Sequence, residues 1–484
     1  MPTAGSPRPA GRRLQPSERA ARVRFRRAIA LMVMTLLIPG SAQLVAGNKR
    51  VGRIAMRIWM AAVALTVVTV VVGMLSHGLL FRLLVRPGNL LALQLLLIGL
   101  ALGWAFLFMD AWRLGNPLSL MRKQRLAAVA LNGVLTFTVA GVLLFGAHLV
   151  AVNRDFVLAT FSQGEAVDAH QGRYNVLLLG GDAGAGRWGL RPDSMNVVSI
   201  DAETGKTVIV GLPRNMANFP FAPGSVMDKE FPAGFDCDGC YLNGVSTWAQ
   251  DHAELFGDSE TPGIDATVMA IEGITGLEMS YWALVDLKGF RNLVDAVGGV
   301  KLNVRERIPV GGLGADVTGY IEPGVRRLNG HDTLWFARAR EGSDDYSRMA
   351  RQKCVMNAML HQTSPQRVLL NFSEIAEAGS SMVSTSLPAT EAGRFVDLAL
   401  KARDQKVASV SLVPPAITTA DPDIDKIHEM VETAIGRSDG SIEPAPKKGN
   451  KGKKASGGTV TGGSVGTLSD GYAANQADDL GATC

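Results

Sequence analysis

The sequence is poor in cysteine, and its cysteines are not arranged for metal binding. Only four occur among 484 residues, and Cys237 and Cys240 are the closely spaced pair. A structural zinc site needs two further ligands nearby, and no second pair is present, so such a site is not indicated. The Cys237-Asp-Gly-Cys240 spacing instead predicts a local disulfide in an oxidising compartment. Cys354 has apolar neighbours and is expected to pack in the core, whereas Cys484 suggests no role.

Residues 439–484 contain few apolar side chains and are rich in glycine, serine, lysine and proline. Such a composition cannot bury enough surface to form a core, which predicts a flexible low-complexity tail. The N-terminal region also lacks the small-residue cleavage site of a removable signal peptide, and it begins with many charges. A cleaved leader is therefore not expected.

Long apolar runs are concentrated in the first 150 residues. Those at 54–81, 89–111 and 126–150 are each long enough to cross a bilayer core of about 30 Å. A fourth run, 28–46, is interrupted by Pro39-Gly40-Ser41. This interruption indicates a re-entrant or kinked segment, and the alternative is a fourth full span.

Basic residues distinguish these topologies. Seven arginines lie between positions 12 and 27, and three more basic residues follow the run 28–46 within eight positions. Basic loops stay in the cytoplasm, so both ends of 28–46 are predicted to be cytoplasmic and this run is predicted not to span. Residues 1–27 then form a basic cytoplasmic N-terminus, residues 28–150 a membrane region with three spans, and the rest an extracytoplasmic part. Two arginines in the predicted external loop favour the four-span alternative.

Residues 151–172 are predicted to form a stalk and residues 173–438 a folded domain. Short apolar strands are predicted near 174–182, 195–201, 206–213, 281–287, 299–304 and 406–413. Helical patterns lie at 242–257, 265–275, 329–340, 346–362, 366–379 and 389–403. Strands and helices that mix without internal repeats predict an α/β domain with helices over both faces of a central sheet.

Charged side chains are predicted at the ends of three of these strands. Asp182 follows the first strand, Asp193 precedes the second and Arg214 follows the third. Ligands commonly bind at strand ends in α/β sheets. Two carboxylates there suit a magnesium ion, which takes few protein ligands and completes its shell with water and substrate phosphate. Each signal alone is also typical of an ordinary turn.

Four arginines fall within the stretch ARAREGSDDYSRMARQ, residues 337–352. Arg348 and Arg351 are three residues apart and share one face of a predicted helix, while Arg338 and Arg340 precede it. A charge run is most often a solvated surface. The alternative is a clamp for an anion with several oxygens, because the guanidinium fork binds phosphate bidentately.

Six motifs follow one another between residue 174 and about residue 362: LLLGGD, RPDS, VGLPRN, LVDAVGGVKLNV, LNGHDTLWFARAR and DDYSRMARQK. In this order they resemble the LytR–CpsA–Psr family of bacterial envelope proteins. The resemblance implies an α/β/α sandwich with a mixed central sheet and an apolar tunnel for a polyprenyl tail. It also implies a phosphotransferase that moves a glycopolymer from a polyprenyl-pyrophosphate carrier to a muramic acid hydroxyl of peptidoglycan.

Position by position, the resemblance implies roles for individual residues. Asp182 and Asp193 would bind Mg²⁺ (or Mn²⁺), and Asp193 is the better candidate for the base that deprotonates the acceptor. Asn215 stands where many relatives have an aspartate, so it is not assigned as a metal ligand. The pyrophosphate would be bound by Arg191, Arg214, Arg338, Arg340, Arg348, Arg351 and Gln352. The catalytic residues would be Asp193, Arg214, Arg338 and Arg340.

Two other functions stay open at this point. A lipid-pyrophosphate hydrolase would use the same residues with water as acceptor, and a non-catalytic envelope regulator would have no need for this charged set.

The expected partners are the lipid-linked glycan, peptidoglycan and the membrane. Nucleic acid is not expected, because much of the basic excess lies in N-terminal segments that the topology explains. Composition suggests arabinogalactan as the glycopolymer, with teichoic acid or capsule as chemical equivalents. The apolar runs before residue 150 and the segment 217–241 lie outside the resemblance.

Overall fold

A computed structural model of the protein describes most of the chain. The described residues are 16–75, 86–162, 164–181, 191–312, 316–340, 344–363, 383–443 and 475–484. The chain forms two compact units, Met1–Arg154 and Asp155–Cys484.

The N-terminal unit is helical. Its described helices are Pro16–Leu37, Ser41–Ala46, Lys49–Leu75, Pro87–Leu114 and Arg122–Thr160, the last of which extends beyond Arg154, and a 3₁₀ turn lies at Pro117–Ser119. Among the described residues, three helices are long and apolar enough to cross a membrane, namely Lys49–Leu75, Pro87–Leu114 and Arg122–Leu158. These coincide with the three predicted spans.

The run 28–46 is divided between two helices that are separated at Ile38–Gly40. Gly40 has a φ of 91°, and a Cβ on it would lie 2.6 Å from the carbonyl oxygen of Gly52. Only glycine fits such a turn without strain. The break lies at the predicted interruption, and whether this segment re-enters or crosses the membrane stays a prediction. In addition, the last helix of this unit continues to Thr160, so the first part of the predicted stalk is helical.

The C-terminal unit is built on a mixed seven-stranded sheet. Among its described residues, the strands are β1 (Arg173–Gly181), β2 (Pro192–Asp201), β3 (Thr207–Leu212), β4 (Tyr281–Asp286), β5 (Val300–Val304), β6 (Ile308–Gly311), β7 (Val317–Ile321), β8 (Gly324–Leu328), β9 (Val383–Thr385), β10 (Val407–Ser411) and β11 (Gln476–Ala477). The sheet order is β11-β10-β3-β2-β1-β4-β9. β1 is parallel to β4 and β3 is parallel to β10, whereas the other pairs are antiparallel. β5 with β8, and β6 with β7, form two separate two-stranded ribbons.

Helices cover both faces of this sheet. They are Val226–Glu230, Val245–Asp251, Pro262–Thr275, Leu287–Ala296, Gly330–Arg338, Asp345–Gln362, Ala392–Arg403, Ile424–Asp439 and Leu480–Thr483, with 3₁₀ turns at Leu242–Gly244 and Ala253–Phe256. Alternate residues of a strand face opposite sides. Leu177 packs in the core that includes Ile271 and Ile427, while Tyr174 packs on the other side with Leu398. The domain is therefore an α/β/α sandwich, as predicted.

The end of the chain departs from the predicted flexible tail. β11 pairs with β10, Leu480 is buried, and a disulfide joins Cys484 to Cys354. The prediction of a tail is therefore wrong for residues 475–484, because one buried leucine, one short strand and a covalent bond hold them. Cys354 is buried as predicted, but as half of this disulfide.

A second disulfide joins Cys237 to Cys240. The predicted helix 366–379 lies outside the described residues.

A fully buried lysine lies between the sheet and the helix Asp345–Gln362. The Lys353 ammonium donates to the Val410 carbonyl at 3.4 Å and to the Ser411 hydroxyl. A Cβ on Gly211 would lie 2.8 Å from Lys353 Cε, so glycine at this position makes room for the side chain. Burial lowers the pKa of Lys353 to about 7 because the charged form loses its hydration.

We expect this lysine to make stability depend on pH. Unfolded Lys353, with its ordinary pKa near 10.5, keeps a proton that the folded protein releases above pH 7. Stability should therefore rise between about pH 7 and 10, by at most about 1.4 kcal/mol per pH unit. Below pH 7 both states are protonated and the cost of the buried charge is present in full. Replacing lysine by methionine keeps the length and removes the titration.

The measurement is the unfolding midpoint of the full-length, detergent-solubilised protein from pH 6 to 9. The midpoint of the wild type should rise relative to that of Lys353→Met above pH 7. Parallel curves for the two proteins would show that this lysine keeps its ordinary pKa.

Candidate active site

Seven polar side chains enclose a cavity of about 240 Å³, which we call the arginine pocket. It is lined by Arg191, Asp193, Arg214, Asn243, Arg338, Arg340 and Arg348. Five of these side chains are cationic and one is anionic. Such a cavity is suited to a small ligand with several negative charges.

The sheet brings the first charged residues together. Because β2 runs antiparallel to β1 and β3, its first residues lie beside the ends of both neighbours, with Pro192 opposite Gly181 and Met195 opposite Leu212. Asp193 and Arg214 consequently meet, and Arg214 Nη1 donates to Asp193 Oδ1 at 2.6 Å. The structure therefore brings together two of the three charged residues that were predicted at strand ends, Asp193 and Arg214.

Two helices supply Arg338 and Arg348, and Arg340 lies between them. Arg338 is the last residue of the helix Gly330–Arg338, and its guanidinium lies 5.8 Å from the Trp335 ring centroid. The helix Asp345–Gln362, which we call the arginine helix, begins soon after. Its N-cap is Asp344, whose carboxylate accepts from the Ser347 amide at 2.6 Å. Arg348 lies on its first turn.

Asp345 links the arginines to one another. Its carboxylate is 2.9 Å from Arg348 Nη2, 3.5 Å from Arg214 Nε and 3.7 Å from Arg340 Nη1. Three cations from separate segments thus share one carboxylate. No role was predicted for Asp345, although the i,i+3 spacing of Asp345 and Arg348 on a helix was a signal for the pair.

Arg348 is the most buried residue that lines the pocket, with only 3% of its surface exposed. Burial lowers the pKa of this guanidinium, and the Asp345 carboxylate partly offsets that effect. Its buried Nε has no hydrogen-bond partner among the described residues. An unpaired buried N–H is costly, so this guanidinium is held in place at a cost in free energy.

Arg351 and Gln352 do not line the pocket, which corrects the roles predicted for them as pyrophosphate ligands. Arg351 is buried and donates to the carbonyls of Ala339 and Ser347. Burial, followed by repulsion from Arg348, lowers the pKa of Arg351 to about 10. Gln352 accepts from the Ser194 hydroxyl at 2.9 Å and donates to the Ala337 carbonyl at 3.2 Å. Both side chains support the backbone behind the pocket.

Asn243 was also missed. It belongs to the 3₁₀ turn Leu242–Gly244, and its backbone N–H donates to the Arg214 carbonyl at 3.0 Å. This backbone bond places its side chain beside the arginines. No motif in the sequence indicates it, because the turn is distant along the chain from the other lining residues.

The predicted metal ligands are only partly within the described residues. Asp182 lies outside them. Among the residues that the structure describes, no three His, Cys, Asp or Glu side chains form a group able to hold a metal ion. Asp193 does line the pocket beside arginines that suit phosphate. One carboxylate among phosphate-binding groups fits magnesium, which takes few protein ligands and shares its shell with water and substrate.

Comparison with known proteins identifies relatives of this chain. The model of the LytR_cpsA_psr family matches residues 150–433. The polyisoprenyl-teichoic acid–peptidoglycan teichoic acid transferase TagU of Oceanobacillus iheyensis is 30% identical over 208 residues, which are 42% of this chain and 54% of that relative. The cell wall biosynthesis protein LcpA of Corynebacterium glutamicum is 24% identical over 218 residues, 42% of this chain and 40% of LcpA.

Among solved structures, the crystal structure of Bacillus subtilis TagV is similar to this chain with a TM-score of 0.40 and 22% identity. The match covers 56% of this chain and 98% of that one. The chain spans about half the length of the curated relatives that it matches.

Proposed function

Because the chain belongs to the LytR_cpsA_psr family, we propose that it is a membrane-anchored phosphotransferase of cell wall assembly. It would move a glycopolymer from a polyprenyl-pyrophosphate carrier to a muramic acid hydroxyl of peptidoglycan. Its relative TagU is named as a transferase of teichoic acid from a polyisoprenyl-linked form to peptidoglycan. The observation that carries the proposal is the arginine pocket.

The pocket has the charge and size for a pyrophosphate group. Five arginines and one aspartate line about 240 Å³, which is far too small for a glycopolymer and a lipid tail. Only the linking group would enter, with the sugar and the lipid extending away from it. Guanidinium groups can each bind two phosphate oxygens.

In the proposed reaction, the acceptor hydroxyl attacks the phosphorus that is bonded to the glycan. A new P–O bond to peptidoglycan forms and the bond between the attacked phosphorus and the bridging oxygen breaks. Polyprenyl phosphate leaves with the bridging oxygen and the bonding electrons. Arginines that contact the equatorial and leaving oxygens stabilise the charge of the transition state. Asp193 would take the proton of the hydroxyl. Arg214 holds this carboxylate at 2.6 Å and so fixes its position.

We also propose that Asp182 and Asp193 hold Mg²⁺ (or Mn²⁺). The ion would supply additional positive charge against the pyrophosphate oxygens. Asp193 lies in the pocket, and the position of Asp182 directly after β1 in the sequence supports its assignment as the second carboxylate.

Substitution of Arg338 or Arg340 by lysine tests the clamp. Lysine keeps the charge but loses the planar fork, so we expect at least about a tenfold loss of transfer rate, the equivalent of about 1.4 kcal/mol. The assay is release of polyprenyl phosphate from a lipid-pyrophosphate glycan analogue, with magnesium and a peptidoglycan acceptor. Arg326→Lys is the matched control, because Arg326 is exposed on β8 and does not line the pocket.

If folded Arg338→Lys and Arg340→Lys have wild-type rates, the clamp is contradicted and the arginine cluster is only a charged surface. Lipid release that is equally fast without the peptidoglycan acceptor would instead identify a hydrolase.

The carboxylates are tested in the same assay over a range of magnesium concentrations. Asp182→Asn and Asp193→Asn should lose more activity than the lysine variants, because each removes both a ligand and a negative charge that balances the ion. Higher magnesium should recover part of the rate. Asp251→Asn, an exposed aspartate at a helix end, is the control. A rate that does not depend on magnesium in the wild type would exclude the metal.

We further propose that the catalytic domain is extracytoplasmic, since three spans follow a basic N-terminal region. Single cysteines at Asn48→Cys and Glu165→Cys can be probed in intact cells with an impermeant thiol reagent. All four native cysteines are in disulfides, so background labelling should be low. Position 165 should be labelled and position 48 should not. Labelling at 48, or none at 165, would contradict this topology.

A further inference from the structure

The last ten residues, 475–484, pack against elements that carry the arginine pocket, and we call them the C-terminal strap. β11 adds to the sheet beside β10, with Ala477 opposite Ser409. Leu480 is buried in a cluster with Ile209 and Val407. Cys484 then forms the disulfide with Cys354 of the arginine helix. The strap is thus attached to both the sheet and this helix.

Asn475 makes the second attachment to the arginine helix. This side chain is fully buried. Its Nδ2 donates to the Tyr346 carbonyl at 3.0 Å, and its Oδ1 accepts from the Ser411 hydroxyl at 2.8 Å. Ser411 in turn accepts from Lys353, which also belongs to the arginine helix. A buried chain of hydrogen bonds therefore connects strap, sheet and helix.

These attachments act on the part of the helix that forms the site. Tyr346 lies between Asp345 and Arg348 in the sequence. The Asp345 carboxylate is 2.9 Å from Arg348 Nη2. Cys354 lies eight residues beyond Tyr346, which is about 12 Å along a helix. Two anchors at this separation restrain both the sliding and the tilt of the helix. A displacement there would move Asp345 and, with it, the arginines that it links.

We propose that Asn475 and the Cys354–Cys484 disulfide are positioning groups of the active site. They hold the first turn of the arginine helix so that Asp345 and Arg348 keep their anion-binding geometry. Opening of this disulfide by a reductant would then weaken binding at the site. The role of the site itself rests on the proposed function, whereas the restraint on the helix can be measured separately.

The test uses the full-length protein in detergent, with inorganic pyrophosphate as the probe in titration calorimetry. The variants are Asn475→Ala and the pair Cys354→Ala with Cys484→Ala. The matched control is the pair Cys237→Ser with Cys240→Ser, which removes the other disulfide, distant in sequence from the strap. We expect a dissociation constant at least about fivefold weaker in the strap variants, because small displacements of positioned groups are costly, and no change in the control.

Stoichiometry distinguishes positioning from simple stabilisation. A purely structural role would lower the number of binding-competent molecules but leave the dissociation constant unchanged, and that result would overturn the proposal. The Cys237→Ser, Cys240→Ser control allows a further check, because only the strap disulfide remains to be reduced. Dithiothreitol should weaken its pyrophosphate binding, and reoxidation should restore it.

Hydrogen exchange decides the proposal if the wild type binds no pyrophosphate, a result that would contradict the proposed function. Amides of residues 346–351 should exchange faster in the strap variants than in the disulfide control. Equal exchange rates in the three proteins would overturn the positioning role.

Discussion

Five guanidinium groups can share a cavity of about 240 Å³ only if carboxylates offset their mutual repulsion. Asp345 provides most of that compensation, since it lies within 4 Å of Arg214, Arg340 and Arg348. Asp193 holds Arg214 from the other side. The pocket is thus assembled around shared anions and still has an excess of positive charge. The ligand would supply the remaining negative charge. The excess of arginines over carboxylates thus requires Asp193 and Asp345 for the pocket to form, and it also attracts an anionic ligand.

Parts of this site could be predicted because the signals were local. Asp193 and Arg214 flank neighbouring antiparallel strands, and this arrangement alone brings them together. The arginines of residues 338–348 are close in sequence and were recognised as one cluster. Helical periodicity could not predict which of these arginines lines the cavity and which is buried behind it. Arg348 and Arg351 share a helical face, but one lines the cavity and the other is bound to the Ala339 carbonyl behind it.

Long-range features were harder to predict, for identifiable reasons. Asn243 is placed by a backbone hydrogen bond from a distant turn, which leaves no pattern in the sequence. The strap was not predicted because the composition was averaged over residues 439–484. Few apolar residues hold its ten residues in place, so it does not alter that average. The pairing of Cys354 with Cys484 requires knowledge of which face of the helix meets the sheet. The three-layer sandwich itself followed from strand and helix patterns, because alternation and period are properties of each segment alone.

The strands that end the seven-stranded sheet are unusually short. β9 contributes three residues and β11 two, so each presents few backbone N–H and C=O groups to another chain. Long exposed edges invite pairing between molecules. Short edge strands therefore lower the risk that the sheets of two molecules join. The segment that restrains the arginine helix thereby also protects the β10 edge from intermolecular sheet extension.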